Sequence, residues 1–170
     1  MIEGVIIYIL KHLTKFRILA LFAIIYAGII YYLSSSTTGV PMEVLHRLPV
    51  RELVGVFERY APGFLREIAS YGYNNIDKIA HIILYFGFGI LLHLTFRNSD
   101  KDGFKKYAGI LAITTGMLYG IYNEINQSFI PGRVASTADM IANGIGLIIA
   151  QIFIFFILIK LIKGKNKNEK

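Results

Sequence analysis

The apolar residues of the chain collect into four long blocks that are separated by polar connections. Each block approaches the ~20 residues with which a helix crosses the ~30 Å hydrocarbon core of a bilayer. The blocks are continuous runs of Ile, Leu, Phe and Ala, without the alternation that is typical of membrane β-strands. The sequence therefore predicts an all-α membrane bundle of four transmembrane helices, over about 16–33, 77–96, 107–127 and 138–162.

The four spans are expected to form one domain over residues 1–162, followed by a basic tail at 163–170. The first span is interpreted as an uncleaved anchor, because no clear small-x-small cleavage site follows it and its apolar core is long for a signal peptide. Residues 2–10 are too few to cross a bilayer and are expected to lie along its inner surface. Oligomeric state is left open, and a homo-oligomer is possible.

Composition supports the membrane assignment, since 55% of the residues are hydrophobic and only 17% are charged. A soluble domain of this size could not bury so much apolar surface. The net charge of +7 raises the alternative of nucleic-acid binding. The placement of the charges along the chain argues against a nucleic-acid partner and for a membrane.

Twelve of the 18 Lys and Arg residues lie in the N-terminal segment, the second connection and the C-terminal tail. The opposite side of the membrane holds the remaining six Lys and Arg residues, although its connections include the longest one in the chain. The positive-inside rule therefore predicts a multi-pass protein of the cell membrane with both termini in the cytoplasm. The loops at 34–75 and 128–137 then face outward. In the first of them, Pro41, Pro49 and Pro62 each begin a segment that is predicted to form a short amphipathic helix.

Polar residues recur near the outer ends of spans two, three and four. Asp77, His81 and Tyr85 follow one another at intervals of four and therefore share one face of span two. Buried ionisable groups in a membrane turn toward the bundle interior and toward each other. The predicted binding site contains these three residues and six more: Lys78, Glu124, Gln127, Arg133, Asp139 and Asn143.

Structural roles compete with binding for several of these residues. Ser136 and Asp139 fit a helix N-terminal cap, Asp77 can cap span two, and Lys78 and Arg133 can extend to lipid headgroups. Glu124 has no cationic neighbour in sequence and needs a partner through space. The chain has no cysteine, so no thiol chemistry is available. Metal binding by His81, Glu124 and Asp139 is possible but is not the expectation, because only one histidine lies at this end; no cofactor is expected.

Small residues predict close packing between spans three and four. Gly116 and Gly120 stand in G-x-x-x-G spacing on span three, with Gly109 on the same face. Span four offers small residues at intervals of four, namely Ala142, Gly146 and Ala150. We expect these two faces to pack backbone to backbone and to hold Glu124 and Asn143 in register.

Three segments resemble the VanZ-like membrane proteins: DKIAHIILYFGFG at 77–89, YGIYNEINQSFIPGR at 119–133 and STADMIANGIG at 136–146. Their order and spacing make the resemblance specific, and it places the family's polar set on the site residues named above, Tyr85 excepted. Many members have D-E-x-H-Q where this chain has Asn123 and Asn126 in place of the acid and the histidine. A mechanism that needs those two groups is not expected here.

The resemblance implies an association with lowered susceptibility to teicoplanin-type glycopeptide antibiotics. Its expected partners are membrane lipids or lipid-linked cell-wall precursors, held as anionic headgroups by basic and amide side chains. The alternative is a membrane-embedded hydrolase or transferase acting on a lipid phosphate or polyprenyl carrier, with His81 or Glu124 as the candidate general base. We favour the non-catalytic binder, because no nucleophile motif or phosphate loop is present.

Overall fold

A computed structural model describes residues 14–35, 55–56, 59–60, 62–67 and 75–168, with side chains as far as residue 160. Its helices are α1 (Lys15–Ser35), α2 (Ile76–Arg97), α3 (Asp102–Lys106), α4 (Ala108–Gln127) and α5 (Thr137–Asn168). The described residues include no strand. The all-α prediction is therefore confirmed, with helix α5 continuing into the predicted tail.

Three helical segments are long and apolar enough to cross a membrane, by length and composition: Lys15–Ser35, Ile76–Arg97 and Thr137–Lys160. They correspond to the first, second and fourth predicted spans. Helix α4 forms where the third span is predicted and has 20 residues, but it is not among the segments that reach this hydropathy. Two threonines and the polar residues of its last turn lower its mean hydropathy, so its crossing of the membrane stays a prediction.

The outward surfaces of the helices are strongly apolar. Helix α1 exposes Phe22, which is 56% accessible, and Ile24, which is 69% accessible. Helix α5 exposes a run of large side chains that includes Phe155 and Phe156. Patches of this kind are unfavourable in water and ordinary against lipid tails. With the three apolar helices, they make this a membrane protein.

Helix α2 is the centre of the bundle and packs against α1, α4 and α5. The Phe88 ring lies within 6.1 Å of the ring centroids of Tyr26, Tyr85 and Tyr119. Two of these tyrosines also connect helices, since the Tyr26 hydroxyl donates to the Leu84 carbonyl at 3.1 Å and the Tyr119 hydroxyl to the Ala27 carbonyl at 2.6 Å. These contacts fix α1 against α2 and α4, two of the three helices that carry the polar residues.

The small residues of α5 pack differently from the prediction. A Cβ added at Gly146 would overlap the backbone of Ile82 in helix α2, and Ala150 lies against Gly89 of the same helix. The closest backbone approach of α5 is therefore to α2. The glycines of α4 do face α5, but they meet side chains there, those of Leu147 and Asn143.

The predicted outer loop at 34–75 lies mostly outside the described residues. Within it, residues 55–56, 59–60 and 63–67 are helical, and the amide of Arg66 donates to the Pro62 carbonyl at 3.1 Å. Proline suits the first turn of a helix because it has no amide hydrogen to satisfy. The predicted amphipathic helices beginning at Pro41 and Pro49 stay predictions.

Candidate functional site

The predicted site residues converge where α2, the C-terminal end of α4 and the N-terminal end of α5 meet. Tyr85, Glu124, Gln127 and Asn143 are buried, each at most 3% exposed. Around them lie the partly buried side chains of His81, Arg133 and Asp139. Asp77 and Lys78 form the rim, with side chains 50% and 32% exposed. All nine residues therefore lie in one region, and their joint role as a binding site remains a proposal.

Glu124 is the deepest carboxylate, with no exposed surface. Its Oε2 accepts the backbone amide of Ser136 at 3.1 Å, and its Oε1 accepts a bond from Gln127 Nε2 at 3.3 Å. Arg133, Asp139 and His81 lie within electrostatic range of it. The partner that Glu124 lacks in sequence is thus supplied by the segment that precedes α5. Its carboxylate connects the end of α4 to the start of α5.

Ser136 caps helix α5, as the sequence suggests, and the cap leaves the Asp139 carboxylate available. The Asp139 amide donates to Ser136 Oγ at 3.2 Å. In a full capping box, the acid at this position would bond back to the amide of the capping residue. Here Glu124 already accepts that amide. The Asp139 carboxylate faces α2 instead.

His81 is held by a single directed hydrogen bond. Its Nδ1 lies 2.9 Å from Oδ1 of Asn143, a side chain with no exposed surface. Because Oδ1 only accepts, Nδ1 is the protonated nitrogen of the neutral ring. His81 Nε2 lies 3.9 Å from Asp139 Oδ2, beyond hydrogen-bonding distance. The lone pair of Nε2 therefore points toward the space between α2 and α5.

Lys78 is placed between two carboxylates at the rim. Its Nζ lies 2.6 Å from Asp77 Oδ2 and 3.6 Å from Asp139 Oδ1. The second distance is an ion pair without a hydrogen bond. Asp77 does not reach the inner residues itself, and Lys78 connects it to them. Both side chains are open enough to meet a ligand from outside the bundle.

Arg133 and Gln127 form another part of the site. Two further side chains support them, those of Ser34 and Asn123, which the sequence analysis did not include in the site. Arg133 Nη1 donates to Gln127 Oε1 at 3.3 Å. Gln127 Nε2 and Asn123 Nδ2 both donate to Ser34 Oγ, at 2.6 and 2.8 Å. The polar run that closes the first span, beginning at Ser34, was the available signal. Helix α1 thereby contributes its last turn to the site.

The loop from α4 to α5 places Arg133 by means of one special backbone conformation. Gly132 has a φ of +83°, which side chains with a Cβ rarely adopt. The Arg133 amide then donates to the Ile130 carbonyl at 3.0 Å. This tight turn brings the Arg133 guanidinium back over Gln127.

Several buried polar atoms at the site have no hydrogen-bond partner among the described residues. They are the Tyr85 hydroxyl, Asn123 Oδ1, Asp139 Oδ1 and Asn143 Nδ2. The Tyr85 hydroxyl lies beside Asn123 and Glu124 without reaching hydrogen-bonding geometry. Buried polar groups in folded proteins are paired as a rule. Four unsatisfied atoms in one region leave hydrogen-bonding capacity that the described residues do not use.

A second polar contact lies toward the other end of α2 and serves as a useful comparison. His93 Nδ1 lies 2.7 Å from Gln151 Oε1, and Gln151 Nε2 donates to the Gly89 carbonyl at 3.3 Å. The pair borders a cleft of about 370 Å³ that is otherwise lined by apolar side chains of α5. No carboxylate lies among the residues that line this cleft.

The arrangement as a whole can bind an anion at its rim and a cation at its centre. Lys78 and Arg133 present positive charge near the opening, and Asn143 Nδ2 adds a donor. The ligand atoms of His81, Glu124 and Asp139 lie within 4.8 Å of one another, and each residue comes from a different helix.

Comparison with known proteins agrees with this arrangement. The family model described as VanZ/LLP1 matches residues 16–160, a range that includes all nine site residues. No curated protein and no solved structure matches the chain significantly. Since the match covers most of the sequence, the chain belongs to the VanZ/LLP1 family.

Proposed function

We propose that this protein spans the membrane four times with both termini in the cytoplasm. We further propose that its polar site binds the anionic headgroup of an envelope lipid or lipid-linked cell-wall precursor at the outer leaflet. Binding there lowers susceptibility to teicoplanin-type glycopeptide antibiotics, whose targets are precursors outside the membrane. The observation that carries the proposal is the pair of cations, Lys78 and Arg133, above buried amide groups at one end of an otherwise lipid-facing bundle.

The chemistry of the pair suits a phosphate or carboxylate group. An arginine guanidinium offers several donors in a plane, and a lysine ammonium adds a mobile point charge. Lys78 lies on α2 and Arg133 in the loop before α5, so a headgroup held by both would contact these two elements. The Asn143 amide, whose Nδ2 has no partner among the described residues, can donate to a ligand oxygen from beneath.

Binding accounts for the geometry better than catalysis by Glu124. Both of its oxygens already accept hydrogen bonds and its side chain is fully buried, whereas a general base must reach the proton that it abstracts. His81 is the better second candidate, because Nδ1 is held by Asn143 and Nε2 faces the partly open space beside Asp139. A hydrolase or transferase acting on a lipid phosphate would therefore use His81.

Native mass spectrometry of the purified full-length protein tests headgroup binding. We expect the wild type to retain phosphatidylglycerol or undecaprenyl phosphate in preference to phosphatidylcholine, and Lys78→Ala and Arg133→Ala each to reduce retention. Losing a charged hydrogen-bond partner corresponds to about 1.5–3 kcal/mol, or roughly tenfold or more in affinity. Lys105→Ala is the matched control, since Lys105 pairs only with Asp102 at an exposed position far from the site.

The same variants, expressed in a glycopeptide-susceptible host, connect binding to phenotype. The wild type and Lys105→Ala should lower teicoplanin susceptibility, and Lys78→Ala and Arg133→Ala should lose that effect at equal expression. Retention of phosphatidylcholine equal to that of the anionic lipids would contradict the binding proposal. Release of phosphate from the polyprenyl lipid by the wild type, and its loss in His81→Asn, would favour the enzyme instead.

A further inference from the structure

The centre of the site has the composition of a metal-binding site that the sequence alone did not favour. His81 from α2, Glu124 from α4 and Asp139 from α5 each direct one potential ligand atom to a common point, all within 4.8 Å of one another. We propose that these three side chains bind a divalent first-row transition-metal ion of the Zn²⁺ class. The single histidine that argued against a metal is joined in space by two carboxylates from separate helices.

The spacing of His81 and Asp139 fits two ligands of one ion. Zinc stands about 2.0–2.2 Å from nitrogen and oxygen ligands, so two of its tetrahedral ligands lie roughly 3.5 Å apart. The observed 3.9 Å between His81 Nε2 and Asp139 Oδ2 is too long for a hydrogen bond and close to this separation. A small rotation of either partly exposed side chain would bring both atoms to ligand distance.

Asn143 supplies the support that a metal-binding histidine ordinarily has. Ligating imidazoles donate their other ring N–H to an acceptor, which fixes the tautomer and the orientation of the ring. Asn143 Oδ1 accepts from His81 Nδ1 at 2.9 Å, which leaves the Nε2 lone pair facing the carboxylates. Asn143 is therefore a positioning residue for His81, and it comes from the same helix as Asp139.

The carboxylates of Glu124 and Asp139 are close enough to repel each other, and a cation between them would relieve that repulsion. Glu124 is fully buried and Asp139 has only 14% of its side chain exposed, so water screens their repulsion poorly. Asp139 Oδ1 accepts no hydrogen bond from the described residues, and the Lys78 ammonium stands 3.6 Å away. The buried Tyr85 hydroxyl, within electrostatic range of Glu124, is a second polar group without a hydrogen bond among the described residues. A cation satisfies the carboxylates, and a water on that cation can satisfy the hydroxyl.

The ligand set favours one class of ion. Imidazole suits zinc, iron, nickel and copper(II), whereas calcium and magnesium prefer oxygen alone, and the chain has no cysteine to select copper(I). Three protein ligands leave at least one coordination position open, as in catalytic rather than structural zinc sites. A ligand could reach such a position from the partly exposed side of the site, where the side chains of Lys78 and Asp139 are accessible to solvent.

A bound ion would also change the net charge that the site presents to an anion. This step rests on the function proposed above. Asp77, Glu124 and Asp139 are three carboxylates, while Lys78 and Arg133 are two cations, which leaves a formal charge of −1 with neutral His81. A bound divalent ion converts this charge to +1. A phosphate headgroup could then occupy the open coordination position between Lys78 and Arg133.

Metal binding is measured on the full-length protein in detergent, with any affinity tag removed and prior treatment with EDTA. Titration with Co²⁺, followed by visible absorption, and with Zn²⁺, followed by calorimetry, should each show one ion per chain. His81→Gln and Asp139→Asn should each weaken binding at least about tenfold. His93→Gln is the matched control, because His93 also pairs with an amide but has no carboxylate beside it, and its binding should equal that of the wild type.

Either of two results would overturn the inference: a folded wild type that binds no stoichiometric Co²⁺ or Zn²⁺, or binding that persists unchanged in His81→Gln and Asp139→Asn. If circular dichroism shows that a variant does not fold, electron paramagnetic resonance of Cu²⁺ bound to the wild type tests the proposal instead. One coordinated imidazole is expected, and none or two would contradict it.

Headgroup retention with and without EDTA separates the two proposals. If the protein binds metal but retains the headgroup equally with and without EDTA, the metal has no part in headgroup binding. Headgroup binding itself would still stand.

Discussion

Glu124 shows how a residue in this site can be structural and chemical at once. Its carboxylate accepts the Ser136 amide and the Gln127 side chain, so it joins the end of α4 to the cap of α5. A buried donor that loses its acceptor costs free energy, since water cannot replace the bond. The charge state of the site and the geometry of the loop therefore depend on the same side chain.

We predict that Glu124→Ala lowers the free energy of unfolding by about 1–3 kcal/mol, because the Ser136 amide and Gln127 are left without an acceptor. Glu124→Gln should lose less, because one amide oxygen can still accept. Melting temperatures in detergent with EDTA present measure this without any contribution from a metal. Asp102→Ala is the control, since the Asp102 side chain is 98% exposed. A Glu124→Ala variant as stable as the control would contradict the structural role.

The sequence predicted the site residues that share one face of a helix, because helical periodicity alone determines them. Helical spacing places Asp77, His81 and Tyr85 on one face of α2 whatever else the chain does. Spacing could not reveal that Ser34 accepts bonds from α4, because that contact depends on where α1 ends relative to another helix. It also could not show that Glu124 takes the Ser136 amide, which depends on the path of the loop.

Among the helices, close approach is set by single glycines at identifiable positions. A Cβ added at Gly146 would meet backbone atoms of α2, the Ile82 carbonyl and the Phe86 amide nitrogen, and neither can move without its helix. At Gly144, the nearest atom to an added Cβ is Met117 Sδ at 3.1 Å, at the flexible end of a side chain. An added Cβ at Gly28 has no atom within 4 Å.

These three glycines give a graded prediction for the interface of α2 and α5. Gly146→Ala should destabilise the protein by about 1–3 kcal/mol, the usual range for overpacking a close contact. Gly144→Ala should have a small effect, and Gly28→Ala should be neutral or slightly stabilising because alanine is the better helix former. Melting temperatures in one detergent rank the three variants. A Gly146→Ala variant as stable as Gly28→Ala would show that α2 and α5 are not in backbone contact.

The difference between the predicted and observed helix packing has a physical origin. The spacing of Gly146 and Ala150 predicts a face of α5 that admits a close neighbour, but a small face does not identify which helix fills it. Helix α2 fills it because it lies at the centre of the bundle, between α1, α4 and α5. The order and approximate bounds of α1, α2, α4 and α5 needed only the long apolar blocks, and these four helices form where the sequence predicts them, whereas the short helix α3 was not predicted.

At the scale of the whole molecule, the remaining question is how the bundle lies in the membrane. Three helical segments are apolar enough to cross, and α4 has the length but a lower hydropathy. The positive-inside rule predicts that the connection around Asp102 lies in the cytoplasm and the loop around Val134 outside. Those two positions flank α4, so their sidedness decides both its crossing and the leaflet of the polar site.

Single cysteines answer this directly, because the chain has none of its own. Val134 is 84% exposed and the Asp102 side chain 98% exposed, so both positions are open to reagents. In intact cells, a membrane-impermeant maleimide should label Val134→Cys, and it should label Asp102→Cys only after permeabilisation. Equal labelling of both from outside would mean that α4 does not cross. The reverse pattern would place Lys78 and Arg133 at the inner leaflet, where a headgroup site could not meet precursors or antibiotics outside the cell.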